Sequence, residues 1–246
     1  MAASRSDIDM PSLGAKLKAS RVRTKGVSVV NRLAFRPIWL VALTLFVGAA
    51  AAQVQPGAPE PSATDRPDVL VQKLSTRVIA SIEKDKSLQA GDPAPLQKLV
   101  EEQIMPFVDF ERTTQLALGI NWRRATTEQR ARVTQEFRTL LVRTYAGALS
   151  AAPNYKVKLL KFDSTSGRDT IVRTQVLAPG REPIELDYRL EQTDAGWKIY
   201  DINIVGVWLV EVYRTSFVEE VGRSGIDGLI RVLADRNQQA RARKSS

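Results

Sequence analysis

The chain has 246 residues, a formal charge of +9, and neither cysteine nor histidine. Disulfides, thiolate nucleophiles, Cys/His zinc sites, Ser-His-Asp triads and histidine-ligated haem are thereby excluded, and no Asp-rich loop has calcium-binding spacing. Residues 1–52 carry +6 and residues 236–246 carry +4, leaving −1 on residues 53–235, so the body is an ordinary solvated mixture of signs and gives no argument for nucleic acid as a partner.

Residues 1–37 are polar and basic, and the apolar run Ile38–Ala52 follows, ending in small residues of Ala-x-Ala type. That order reads as a secretory signal peptide over residues 1–52, cleaved near Gln53, with Met10 as an alternative start. Fifteen residues fall short of the ~20 that a spanning helix needs, and no cysteine follows to carry a lipid anchor. The mature protein is therefore expected to be exported. Residues 53–67, rich in Pro, Ala, Gly and Ser, read as a disordered spacer.

Structure is expected from Asp68. Leu70, Leu74, Val78 and Ile82 recur every four residues and give one helix one buried stripe. A second helix starts at Asp92-Pro93, carries Leu96, Leu99, Val100 and Ile104, and is stopped by Pro106. Asp109 caps a short third helix closed by Gly119 in a left-handed conformation. Thr126 and Gln129 form a capping box for the longest helix, lined by Val133, Phe137, Leu140, Leu141, Thr144 and Tyr145.

After Pro153 the period changes to alternation. Strands are expected over Tyr155–Leu159, Ile171–Ala178, Ile184–Leu190 and Trp197–Val205, joined by short turns into an antiparallel meander. At Gly206 the last strand hands over to a helix carrying Leu209, Val212, Tyr213 and Phe217. A last helix begins near Ser224-Gly225, and a flexible basic tail occupies residues 237–246.

Several strings, in order, resemble the MlaC or toluene-tolerance family of exported phospholipid-binding proteins. They are Pro106–Phe110 with Leu118-Gly119 and Trp122, Ala125–Gln129 with Phe137, Leu140 and Tyr145, Trp197–Ile202 with Gly206-Val207, Tyr213-Arg214 with Phe217, and Gly225–Leu229. They cover about residues 68–236, the expected lipid-binding domain. The chain departs from the family at Val205, usually an acid, and at Trp208, usually a serine.

The resemblance implies an α+β fold of NTF2-like, MlaC-like type, with a four-stranded twisted antiparallel sheet and about six helices around a lipid cavity. It implies a periplasmic carrier exchanging phospholipid with an inner-membrane ABC transporter complex and an outer-membrane lipoprotein complex, without catalytic residues, metal or cofactor. The candidate lining is Leu74, Val78, Phe137, Leu141 and Tyr145 on helices, Leu186, Tyr188, Ile199, Ile202 and Ile204 on the sheet, and Leu209, Tyr213 and Phe217 on the hinge helix. Strict alternation puts Ile199 on the opposite strand face from Ile202 and Ile204, so the three share a cavity only across a bulge or twist. Two other readings remain: an enzyme using Asp201 or Asp187 as general base, and a protein-binding module with a solid core.

Overall fold

A computed structural model describes residues 60–149, 154–163 and 167–242. The expected signal peptide and most of the expected spacer lie outside them.

Helix α1 (Pro67–Lys84) buries Leu70, Leu74, Val78 and Ile82, the four-residue stripe of the sequence. Each such side chain contributes about 1.5–3 kcal/mol on leaving water. The short α2 (Lys86–Ala90) is capped by Asp85, and α3 (Pro93–Leu99) starts with proline in its first turn; Asp92 makes no side-chain capping bond. Instead of running on to Ile104, α3 loosens into a π turn (Val100–Ile104) and then tightens into a 3-10 turn (Met105–Phe107). Helix α4 (Phe110–Leu118) is capped by Asp109, which accepts the Arg112 amide at 2.8 Å. Its closing Gly119 has φ 56 and ψ −129, a positive-φ conformation but not the left-handed helical one expected.

After α5 (Asn121–Arg124) comes α6 (Thr127–Leu149), whose capping box forms as expected: Gln129 N donates to Thr126 Oγ1 at 3.1 Å, and Thr126 N donates to Gln129 Oε1 at 3.0 Å. Both interactions satisfy amides that the first turn leaves free.

The sheet is an antiparallel meander in the order β1 (Lys156–Asp163), β2 (Asp169–Leu177), β3 (Ile184–Thr193), β4 (Gly196–Ile204) and β5 (Val207–Trp208). It has five strands rather than the expected four. The added strand is a two-residue return of the chain after Val205 and Gly206, whose φ values of 51 and 85 give the mirror-image turn that suits a tight hairpin. Helix α7 (Leu209–Ala242) follows at once and holds both of the last two expected helices, interrupted at Gly225 (φ 72, ψ 179), a conformation open essentially to glycine alone. Two short helices, α2 and α5, are additions to the expected six. The tail expected to be flexible from residue 237 is helical through Ala242, and Asn237 is buried, its Nδ2 donating to Glu136 O at 3.0 Å.

The interior forms two apolar clusters. The first joins α1, α2, α3 and the π turn to Val172, Leu190 and Ile199 of the sheet. The second joins α4, α5, α6 and α7 through Leu118, Trp122, Val133, Phe137, Leu140, Tyr213, Phe217, Leu229 and Leu233. The described part of the expected spacer, Glu60–Arg66, is held to the body: Trp197 N donates to Ala63 O at 2.9 Å, and Lys73 and Arg77 pair with Asp65 and Glu60. Gly196 permits that approach, since a β-carbon there would come within 2.3 Å of Ala63 O.

Candidate functional site

Strand β4 sets the position of both walls of the interior. On one side the Asp109 amide donates to Ile199 O at 2.8 Å, and Thr113 Oγ1 donates to Tyr200 O at 2.7 Å, which seats the start of α4 on the strand. On the other, Asp201 Oδ1 accepts the Val210 amide at 3.0 Å in the first turn of α7. A carboxylate at a helix N-terminus satisfies an orphan amide and meets the positive end of the helix dipole. Asn203 does the same for the preceding turn, its Oδ1 accepting from Gly206 N at 2.8 Å.

The β3–β4 register carries the bulge that the sheet candidates require. Arg189 pairs with Asp201 but the next residue, Leu190, pairs with Ile199, leaving Tyr200 as the extra residue. The bulge resets the alternation, so Ile199, Ile202 and Ile204 share one face with their partners Leu190, Tyr188 and Leu186. Val172 opposite Tyr188 and Thr174 opposite Leu186 extend that face across β2. The Tyr188 hydroxyl is buried, bonded to Ser75 of α1 and to Thr174, and burial pushes it up to about 12.

The other candidates divide between the clusters. Leu74, Val78 and Ile199 are buried in the first, with Tyr188 and Ile202 partly buried against it. Phe137, Tyr213 and Phe217 are buried in the second, with Leu141 partly buried beside them. The Phe137 ring meets Tyr213 at 4.8 Å and Phe217 at 4.9 Å between centroids, both edge-on. Those three rings are therefore packed mainly on one another. Tyr145 reaches the Tyr213 hydroxyl, and burial raises its own hydroxyl above the usual tyrosine value. Leu209 and Ile204 are buried where the sheet passes into α7.

A boundary, or seam, separates the two clusters. Helix α6 packs chiefly on α7, α3 and α4, whereas the sheet is covered directly by α1 at β1 and by α4 and α7 at β4. Half-buried apolar side chains stand on both sides of the seam, among them Leu186, Tyr188 and Ile202 on the sheet and Leu141, Val142 and Tyr145 on α6. Val142, packed against the first cluster, was not among the candidates because it falls off the stripe running from Val133 through Phe137 to Leu141. Two surface grooves, of about 410 and 420 Å³, lie elsewhere, at the β3–β4 turn. None of the thirteen candidate residues lines either one.

The carboxylates considered as general bases are otherwise engaged. Asp201 accepts from Val210 N, from Ile202 N at 2.9 Å and from Arg189 Nη1 at 3.0 Å, and burial outweighs these partners to raise its pKa. Asp187 is half-buried, raised by burial, with the Arg173 guanidinium opposing the shift. At the two positions where the chain departs from the family pattern, Val205 is 60% exposed, and Trp208 lies under the Arg189 guanidinium, 3.8 Å from its carbon to the ring centroid.

The chain is similar to the intermembrane phospholipid transport system binding protein MlaC of Haemophilus influenzae, 28% identical over 168 residues, which are 67% of this chain and 78% of that protein. It is 22% identical over 166 residues to the toluene tolerance protein ttg2D of Pseudomonas putida, covering 67% of this chain and 77% of that one. Among solved structures, a phospholipid-binding protein from Ralstonia solanacearum in complex with a phospholipid aligns with a TM-score of 0.69 and 40% identity, over 72% of this chain and 99% of that one. The family model described as MlaC protein matches residues 72–235, and the chain belongs to the MlaC family.

Proposed function

We propose that this protein is a periplasmic phospholipid carrier that shelters acyl chains along the seam between its two apolar clusters. The observation that carries the reading is the 40% identity, across 99% of its length, to a protein solved with phospholipid bound. The seam supports it, because its half-buried side chains are apolar or tyrosyl and its titratable groups are few. A lipid with roughly 28 acyl methylenes costs about 20 kcal/mol to expose to water, so a carrier needs apolar depth more than polar recognition.

In this reading Leu186, Tyr188, Ile199, Ile202 and Ile204 form the sheet wall, and Leu74, Val78, Leu141 and Tyr145 the helical wall. Leu209, Tyr213, Phe217 and Phe137 support the closed end. Loaded carrier exchanges lipid with an inner-membrane ABC transporter complex and an outer-membrane lipoprotein complex, in keeping with the transport system named for the Haemophilus relative. The protein performs no chemistry on its cargo, and residues 1–52 direct export before removal.

Organic extraction of protein purified without detergent, followed by mass spectrometry, tests the central claim. Phospholipid near one molecule per chain is expected. Protein that emerges empty and takes up no lipid from vesicles would refute it.

A further inference from the structure

Gly119, in a conformation that L side chains rarely adopt, turns the chain out of α4 and displays Ile120, the most exposed large apolar side chain among the described residues at 62%. Arg123 and Arg124 follow on α5, both exposed, and the stretch from Gly119 to Thr127 contains no acid. The tip is held firmly. Arg130 Nε donates to Trp122 O at 3.0 Å, with its guanidinium 5.2 Å from the Trp122 ring, and Trp122 itself is buried. Beside it on α7, exposed Arg214 donates from Nε to Leu116 O at 2.9 Å. Leu116, which that bond reaches, stands four residues before Ile120. An outward apolar side chain is thus accompanied by three exposed arginines, none in an ion pair among the described residues.

We infer that this corner is a docking site for an anionic bilayer surface, with Ile120 entering between headgroups and Arg123, Arg124 and Arg214 resting on lipid phosphates. Charge complementarity selects that occupant, since residues 119–127 expose Ile120 with two arginines and hold no acid. Arginine near an anionic surface gains about fivefold in partitioning per residue, and shallow apolar insertion adds to it. The inference rests on the carrier reading, since a lipid carrier works against bilayers, but it concerns a different face of the molecule from the seam.

Co-sedimentation of the full mature protein with vesicles of phosphatidylcholine and phosphatidylglycerol in equal parts tests it, with pure phosphatidylcholine as comparison. Expected are binding to the anionic vesicles that weakens with salt, about a twentyfold loss in Arg123→Gln/Arg124→Gln, and a smaller loss in Ile120→Ser. Lipid content by mass spectrometry and circular dichroism should be unchanged in both variants. Equal binding to neutral vesicles, or undiminished anionic binding by the double variant, overturns the inference. So does a double variant that loses only a protein contact, which would assign the corner to a protein partner. Empty wild-type protein that still binds anionic vesicles as described supports this inference while refuting the carrier reading alone.

Discussion

Asp201 on β4 accepts the backbone amide of Val210 at 3.0 Å, so the carboxylate of a strand caps the helix that follows it nine residues later. Its other oxygen takes Arg189 Nη1 at 3.0 Å, and the same arginine stacks on Trp208 and approaches Glu211 at 3.5 Å. One buried acid thereby ties β3, β4, β5 and α7 into a single corner.

Burial dominates the titration of Asp201 and raises its pKa. Over the interval from the ordinary aspartate value up to the raised one, the folded protein holds a proton that the unfolded chain has released, so this group's contribution to stability falls as pH rises through that interval. Asp201→Asn keeps an oxygen for Val210 and should cost about 1 kcal/mol or less at neutral pH. Asp201→Ala strands the amide and Arg189 and should cost about 2–4 kcal/mol. Urea midpoints measured across acid to neutral pH should show the advantage of the wild type over the Asn variant shrinking as pH rises.

Val205 is a β-branched residue at φ 51 whose side chain is largely in solvent. A left-handed conformation costs a residue with a β-carbon about 1–2 kcal/mol, and asparagine or glycine tolerates it far better. Val205→Asn should stabilise the protein by about 1 kcal/mol and raise the melting temperature by about 2–4 °C. An unchanged or lowered melting temperature in calorimetry would show that Val205 makes a contact worth more than its strain.

Gly196 has φ +97, and a β-carbon there would collide with Ala63 O. Gly196→Ala should release Glu60–Arg66 from the β3–β4 turn and cost more than about 1 kcal/mol. Amide exchange reads the effect directly, because the Trp197 N–H that donates to Ala63 should lose protection while amides at the centre of β3 keep theirs.

Ring packing separates core from seam. Phe137→Ala removes a buried ring that three other aromatic rings touch and should cost about 3–5 kcal/mol whether or not lipid is present. Leu141→Arg places a long cation at a half-buried position and should expel lipid while circular dichroism stays nearly unchanged. Global unfolding of the Leu141 variant would make that position ordinary core.

The parts of this fold that are written locally were legible. The stripe of α1, the reciprocal Thr126–Gln129 cap and the alternation of β3 each depend on residues within a few positions of one another. The face shared by Ile199, Ile202 and Ile204 was legible only as a condition, because the bulge at Tyr200 is a property of pairing with β3 and not of the β4 string. Strand β5 is too short to show a period, and the π turn after Leu99 keeps a helical pattern while shifting its phase. The Arg189–Trp208 stack joins residues nineteen apart and needs the register to be seen. For the lining residues, periodicity reports which side chains leave water but not whether they meet protein or lipid, so Phe137 and Leu141 carry the same signal on one stripe and sit differently in the interior.

The division of the interior into two clusters has a mechanical consequence. A molecule with one continuous core must sacrifice packing to admit a guest, whereas here each half has its own nucleus of contacts, with Leu141 of one and Val142, Tyr188 and Ile202 of the other only partly buried. Under the proposed function, parting of the two halves there would disturb chiefly side chains that cargo would cover, and a greasy guest would enter and leave without unfolding.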